Sequence, residues 1–118
     1  MSTENKEKTI TEQIARKVFR AYETGDADLL HGLISDDFKF CAPPDPSLDK
    51  DNYLRRCWPF HEQGPCYQFE EFFIREDRAM VLYTCTTKAG KKIRNAEYLR
   101  IRDGKLTEVV VFFGPDIS

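Results

Sequence analysis

The chain of 118 residues has only two histidines, and its four cysteines, at positions 41, 57, 66 and 85, never form a Cys-x-x-Cys pair. Zinc sites repeat tight ligand spacings, so the usual structural zinc pattern is excluded. His61 lies between Cys57 and Cys66, but at a looser spacing than such sites use, and the thiols read as small apolar groups in the reduced state. No metal and no cofactor is expected. Charge of one sign is missing too. Eighteen basic side chains face twenty acidic ones, leaving a formal charge of -2 and a pI near 5.7, so nothing draws the chain generally to nucleic acid or an anionic membrane. No apolar run is long enough to cross a bilayer, and the polar start MSTENKEKT has no signal-peptide core, which predicts a cytoplasmic protein. Internal repeats and low-complexity tracts are absent as well.

What is present is the material of one folded domain. The hydrophobic fraction is 41%, with nine Phe and five Tyr, too high for a disordered chain and ample for one core at this length. Thr9 and Glu12 form a Thr-x-x-Glu capping pattern ahead of Ile14, Val18, Ala21 and Tyr22, whose spacing makes one apolar helix face ending at Gly25. Asp26 then caps a shorter helix that buries Leu29, Leu30, Leu33 and Ile34. A short strand at Phe38–Cys41 runs into Ala42-Pro-Pro-Asp-Pro46, an irregular connection. Asp49 is placed to cap a third helix with Tyr53, Leu54, Cys57, Trp58 and His61 on one stripe, kinked or ended by Pro59.

From Cys66 onward the chain turns aromatic and β-branched. Tyr67–Arg75, Arg78–Lys88, Lys92–Arg102 and Lys105–Phe113 read as strands of an antiparallel meander, separated at Glu76-Asp77, Ala89-Gly90 and Asp103-Gly104. Asp-Gly is a tight-hairpin signal, because both central residues of a type I′ turn take positive φ. Helices followed by long antiparallel strands predict an α+β fold, with three N-terminal helices packed on a strongly curved antiparallel sheet that leaves a hollow at one end. In IRNAEYLRIRDGK the residues Ile93, Asn95, Glu97, Leu99 and Ile101 share the face that should be buried. A carboxylate in that row is the one residue that breaks the pattern.

The run ARKVFRAYETGDADLLHGLISDDFKF, a helix, a Gly-Asp turn, a leucine-rich helix and Asp-Asp-Phe, resembles the start of the nuclear transport factor 2-like superfamily, which includes ketosteroid isomerase and the SnoaL-like polyketide cyclases. The ending AEYLRIRDGKLTEVVVFFG is similar to the SnoaL-like branch. One SnoaL-like domain over residues 1–118 is expected, with 1–8 a disordered lead-in, and the resemblance implies a cone-shaped barrel with a pocket at its wide end. It implies, too, a homodimer through the outer sheet face, where Val110 and Phe112 would otherwise make a sticky patch. The stretch from Cys41 to Gln68 carries no family motif and is expected to shape the pocket mouth.

Ketosteroid isomerase uses an aspartate base and an oxyanion hole of a tyrosine and a protonated aspartate. Matching the Gly-Asp and Asp-Gly-Lys turns puts Glu97 at the protonated aspartate, Val18 at the tyrosine and Ala42 at the base. Two of the three roles are then empty, since neither valine nor alanine can move a proton or donate a hydrogen bond. Asp45, three residues past Ala42, is the candidate that could swing in as base.

Glu97 is either a proton donor, acceptor or ligand anchor in the pocket, a buried carboxyl satisfied by Asn95, Tyr83 or His61, or a surface residue if the strand register is reversed. His61 is the candidate general base beside it, or a polar helix-end residue. His31 is expected to be exposed. Tyr22, Tyr53, Trp58, Tyr83, Asn95 and Phe113 are the candidate ligand-binding residues, large apolar bodies with polar tips that would equally fill a core. Three functions stay open: a cofactor-free isomerase, cyclase or hydrolase-like enzyme using acid/base chemistry on a small hydrophobic substrate; a ligand-binding module for a hydrophobic or aromatic molecule; or a dimeric interaction module with a vestigial pocket.

Overall fold

The computed structural model describes residues 3–118. Helix α1 (Thr3–Thr24) buries Ala15, Val18, Phe19 and Tyr22, the i, i+3, i+4, i+7 positions of one face. It starts six residues before the expected cap. Thr9 sits inside it and donates its hydroxyl to the Asn5 carbonyl at 2.9 Å. The Glu and Lys residues upstream of Thr9 are good helix formers, and they carry the helix through most of the segment expected to be disordered. Of that segment, residues 1–2 lie outside the described residues.

Gly25 ends α1 at φ +69°, and the Asp26 carboxylate accepts from Leu29 N at 3.0 Å to open α2 (Ala27–Leu33). Ile34, expected in that helix, instead begins β1 (Ile34–Ala42). The proline stretch is not an irregular loop. It turns tightly into β2 (Asp45–Leu48), which pairs back on β1 with Phe40 opposite Leu48. Pro46 is tolerated there because β2 is an edge strand. Asp49 caps α3 (Lys50–Arg56), accepting from Asn52 N at 2.9 Å. Pro59 then sits in the first turn of a 3₁₀ segment, Trp58–Gln63, so the third helix is shorter than the stripe predicted.

The four later strands fall where aromatic and β-branched residues put them: β3 (Cys66–Arg75), β4 (Arg78–Thr86), β5 (Lys92–Arg102) and β6 (Lys105–Phe112). Asp103 and Gly104 take φ of 51° and 74°, as a type I′ hairpin requires. The sheet order is β2-β1-β6-β5-β4-β3, and every pairing is antiparallel except β1 with β6, where Phe40 lies opposite Val109 in parallel. That exception corrects the all-antiparallel expectation. Parallel neighbours need a long crossover, and residues 43–104 supply one.

The sheet is open, with β2 and β3 as its edges, so the expected barrel is not closed by hydrogen bonds. It is nonetheless concave. In that order β1 and β3 stand four strand spacings apart, roughly 19 Å if flat. Yet Phe40 from β1 and Tyr67 from β3 line the same cavity. α1 lies across β3 to β6 and α3 across β1 and β2, completing an α+β layer pair. The core between them holds Leu30, Phe38, Val81, Leu99, Ile101, Leu106 and Val109. No helix among the described residues is long and apolar enough to cross a membrane.

Candidate functional site: a cavity around Glu97

The inward row of β5 is the predicted one, and Glu97 is 8% exposed within it. Its neighbour across β4 is Val81, and diagonally Tyr83, whose hydroxyl donates to Glu97 Oε1 at 2.9 Å. No hydrogen bond within the described residues engages Oε2, and no buried polar side-chain atom there lacks a partner, so Oε2 is reached from the cavity. Burial holds the Glu97 carboxyl up at about 7, against the opposing pull of the Tyr83 hydroxyl, which favours the charged form. A carboxyl in that range exchanges its proton near neutrality.

The cavity beside it has a volume of about 680 Å³, within the range of small-molecule sites. Of the predicted site residues, Glu97, Tyr22, Tyr53, Tyr83, Asn95 and Phe113 line it. Tyr22 comes from α1 one helical turn beyond Val18, and Tyr53 from α3; their hydroxyls meet at 2.6 Å in the buried wall. A hydroxyl pair has two hydrogens and joins through one, so the second is not used within the pair. Burial pushes both phenols well above their ordinary range, and Tyr83 and Tyr67 likewise, so these groups are donors rather than bases. The Cys57 and Cys85 thiols on the same wall are pushed up to about 11 by burial and are neutral.

Three predicted site residues are elsewhere. His61 does not reach Glu97. In a 3₁₀ turn residues i and i+3 eclipse, and His61 stacks on Trp58 with ring centroids 4.4 Å apart. The imidazole is held against Gly25, where an added Cβ would come within 3.3 Å of Nδ1. Trp58 is not on the cavity wall; it backs Tyr22, with centroids 5.0 Å apart. Asp45 points to Arg56, its carboxylate 2.8 Å from Nη2, which fixes it in an ion pair beside α3. Ala42 is buried at the end of β1, as apolar as the sequence indicates.

Tyr67, Cys57, Cys85 and Asp116 line the cavity although the sequence reading passed them over. The signal for Tyr67 was available, since Tyr67 and Phe69 alternate inward on β3 and both pack edge-on against Phe19. Asp116 had none. It is placed by the tail, residues 114–118, which continues past β6 along the start of β5. Among the described residues no three His, Cys, Asp or Glu side chains gather as a metal site requires.

A model of the SnoaL-like domain matches residues 15–109. Solved structures of the same shape include a candidate ketosteroid isomerase from Kribbella flavida, with 17% identity over 95% of this chain and 83% of that one, at a TM-score of 0.78. The candidate polyketide cyclase IdmH from Streptomyces antibioticus shares 16% identity over 87% of this chain and 91% of its own, at a TM-score of 0.74. An NTF2-like protein of unknown function from Cytophaga hutchinsonii shares 17% over 89% and 90%, at a TM-score of 0.73. At these identities the likeness is one of fold. No curated protein sequence matches.

Proposed function

The chain belongs to the SnoaL-like domain family, within the nuclear transport factor 2-like superfamily, and on that premise we propose a cofactor-free acid/base enzyme acting on a small hydrophobic carbonyl compound. The observation that carries the reading is Glu97: a carboxyl buried on the wall of a 680 Å³ cavity, holding its proton to about pH 7, with one oxygen open to the cavity. Such a group can give a proton to a substrate oxygen or take one from an adjacent carbon at neutral pH. The spare hydrogen of the Tyr22–Tyr53 pair supplies a second donor for developing negative charge on oxygen. The isomerase-like, cyclase-like and hydrolase-like outcomes share this first step, and the apolar walls favour a hydrophobic or aromatic ligand.

A second reading is a ligand-binding or dimeric interaction module with a vestigial pocket. It draws on Asp45, whose pairing with Arg56 leaves the base position empty. The outer sheet face supports a homodimer in either case. Register puts Phe73, Met80, Tyr98 and Val110 in one row across four strands, beside Leu82, Ala96 and the 54%-exposed Phe112. The four unpaired thiols suit a reducing cytoplasm.

In deuterated buffer the wild-type chain should exchange the α-hydrogens of cyclic and aromatic ketones faster than buffer alone, and Glu97→Gln should cut the rate by at least about 100-fold. Thermal stabilisation by these compounds without exchange would assign the binding module. Neither effect, with a dimer on a sizing column, would assign the interaction module.

A further inference from the structure

Asn95 was expected to touch the ligand, but both ends of its amide are already engaged. Its Oδ1 accepts from Gly114 N at 3.0 Å, and its Nδ2 donates to the Tyr83 hydroxyl oxygen at 3.4 Å. The first of these bonds fixes the sense of the rest. A backbone N–H can only donate, so the carbonyl end of the amide must face Gly114 and the NH₂ end must face Tyr83. An NH₂ can likewise only donate, so the Tyr83 oxygen accepts, and its single hydrogen goes to Glu97 Oε1. One directed chain therefore runs from the C-terminal tail to the acid.

The tail is seated to hold that direction. Pro115 O accepts from Arg94 N, Ile117 N donates to Lys92 O, and Asp116 bridges Ile93, so residues 114–118 follow β5 beyond the end of β6. Gly114 packs so closely that an added Cβ would stand 1.8 Å from the Arg94 carbonyl oxygen. Only glycine lets the tail lie there.

We propose that Asn95 is a positioning residue and that the C-terminal tail, through the Gly114 N–H, sets the hydrogen-bond direction that leaves Glu97 Oε2 as the proton-exchanging oxygen. The inference rests on the acid/base reading of the cavity. Each link strengthens the next, because an oxygen that accepts a hydrogen bond becomes a better donor. Loosening the tail weakens the Tyr83 bond to Glu97 without removing any group that touches the substrate.

The groups facing Glu97 do not obscure the test. Tyr22 on α1, Tyr53 on α3, Tyr67 on β3 and the two cavity thiols are raised by burial and neutral near pH 7; the charged Arg56, Lys91 and Asp116 are exposed. The experiment is carbon NMR of the Glu97 side-chain carboxyl across pH in the full, ligand-free chain, for wild type, Gly114→Ala, Asn95→Leu and the double variant. Nitrogen–proton spectra report whether each is folded, and Asn95→Ser, too short to span both partners, replaces Asn95→Leu should that variant fail. Each single variant should raise the Glu97 midpoint by about half a unit to one unit, and the double variant no further than Asn95→Leu alone. An unmoved midpoint overturns the proposal. So does a fall towards the ordinary glutamate range, which would make the tail a seal against water. A wild-type midpoint already in that ordinary range would instead sink the acid/base reading itself.

Discussion

One face of β5 serves two different ends of the molecule. Leu99 and Ile101 belong to the buried apolar core with Val81, Leu106 and Leu30, whereas Asn95 and Glu97, four residues earlier in the same row, border a cavity and are linked through the Tyr83 hydroxyl. The pairing with β4 runs unbroken through both ends, whereas β6 shifts register at Ile101 and stops short of Asn95, so the ends differ in side-chain chemistry and in what covers them. At the packed end the row contributes burial and nothing else. At the open end the Tyr22, Tyr53, Tyr83 and Asn95 side chains are hydrogen-bonded within the wall, and one Glu97 carboxyl oxygen is left for a visitor. The packed end supplies the rigidity that a precise polar wall requires.

The largest effect should come from the packed end. Leu99 is fully buried, and Leu99→Ala should cost about 3 kcal/mol in denaturant unfolding, from lost transfer energy and the cavity left behind. The Glu97 midpoint should stay near 7 in that variant. A moved midpoint would mean that the two ends are one cooperative unit and not separable.

A comparable effect, but dependent on pH, is expected from the open end. Glu97 is raised from 4.5 unfolded to about 7 folded, so between those values the folded chain binds more protons than the unfolded one. Stability therefore falls as pH rises from about 4.5 to about 7 and levels above, by about 3 kcal/mol in total. Glu97→Gln should abolish that slope and be the more stable chain at pH 8. Urea midpoints at pH 5, 6, 7 and 8 measure it, and parallel curves for the two chains would show that Glu97 is solvated when folded.

Much of this contrast was readable in the chain. The meander was legible because β-branched and aromatic runs and the Asp-Gly turn all indicate the same thing, and Glu97 was legible because a charge interrupts an apolar row. What escaped has physical causes. The start of α1 was misplaced because helix propensity over Glu4 to Lys8 outweighs one capping pattern. Strand β2 was hidden behind prolines that only an edge position tolerates, and the parallel β1–β6 pair leaves no local signature. His61 went astray because Pro59 converts 3.6 residues per turn into three, which rotates it onto Trp58. Asn95 looked like a ligand contact because its partner Gly114 lies nineteen positions on, brought alongside by the β5–β6 hairpin and just past the end of β6.

The smallest predicted effect tests whether the polar wall is built from pairs. Tyr22 and Tyr53 join through one hydrogen bond between hydroxyls that are both buried. Tyr53→Phe leaves the Tyr22 hydroxyl without its partner, and such an orphan costs about 1 to 2 kcal/mol. Tyr22→Phe should cost about the same, from the opposite side. The double variant removes donor and acceptor together, so its loss should not exceed that of either single change. Additive losses in this cycle would mean that each hydroxyl has a separate partner, and with it would go the spare hydrogen on which the second donor of the site depends.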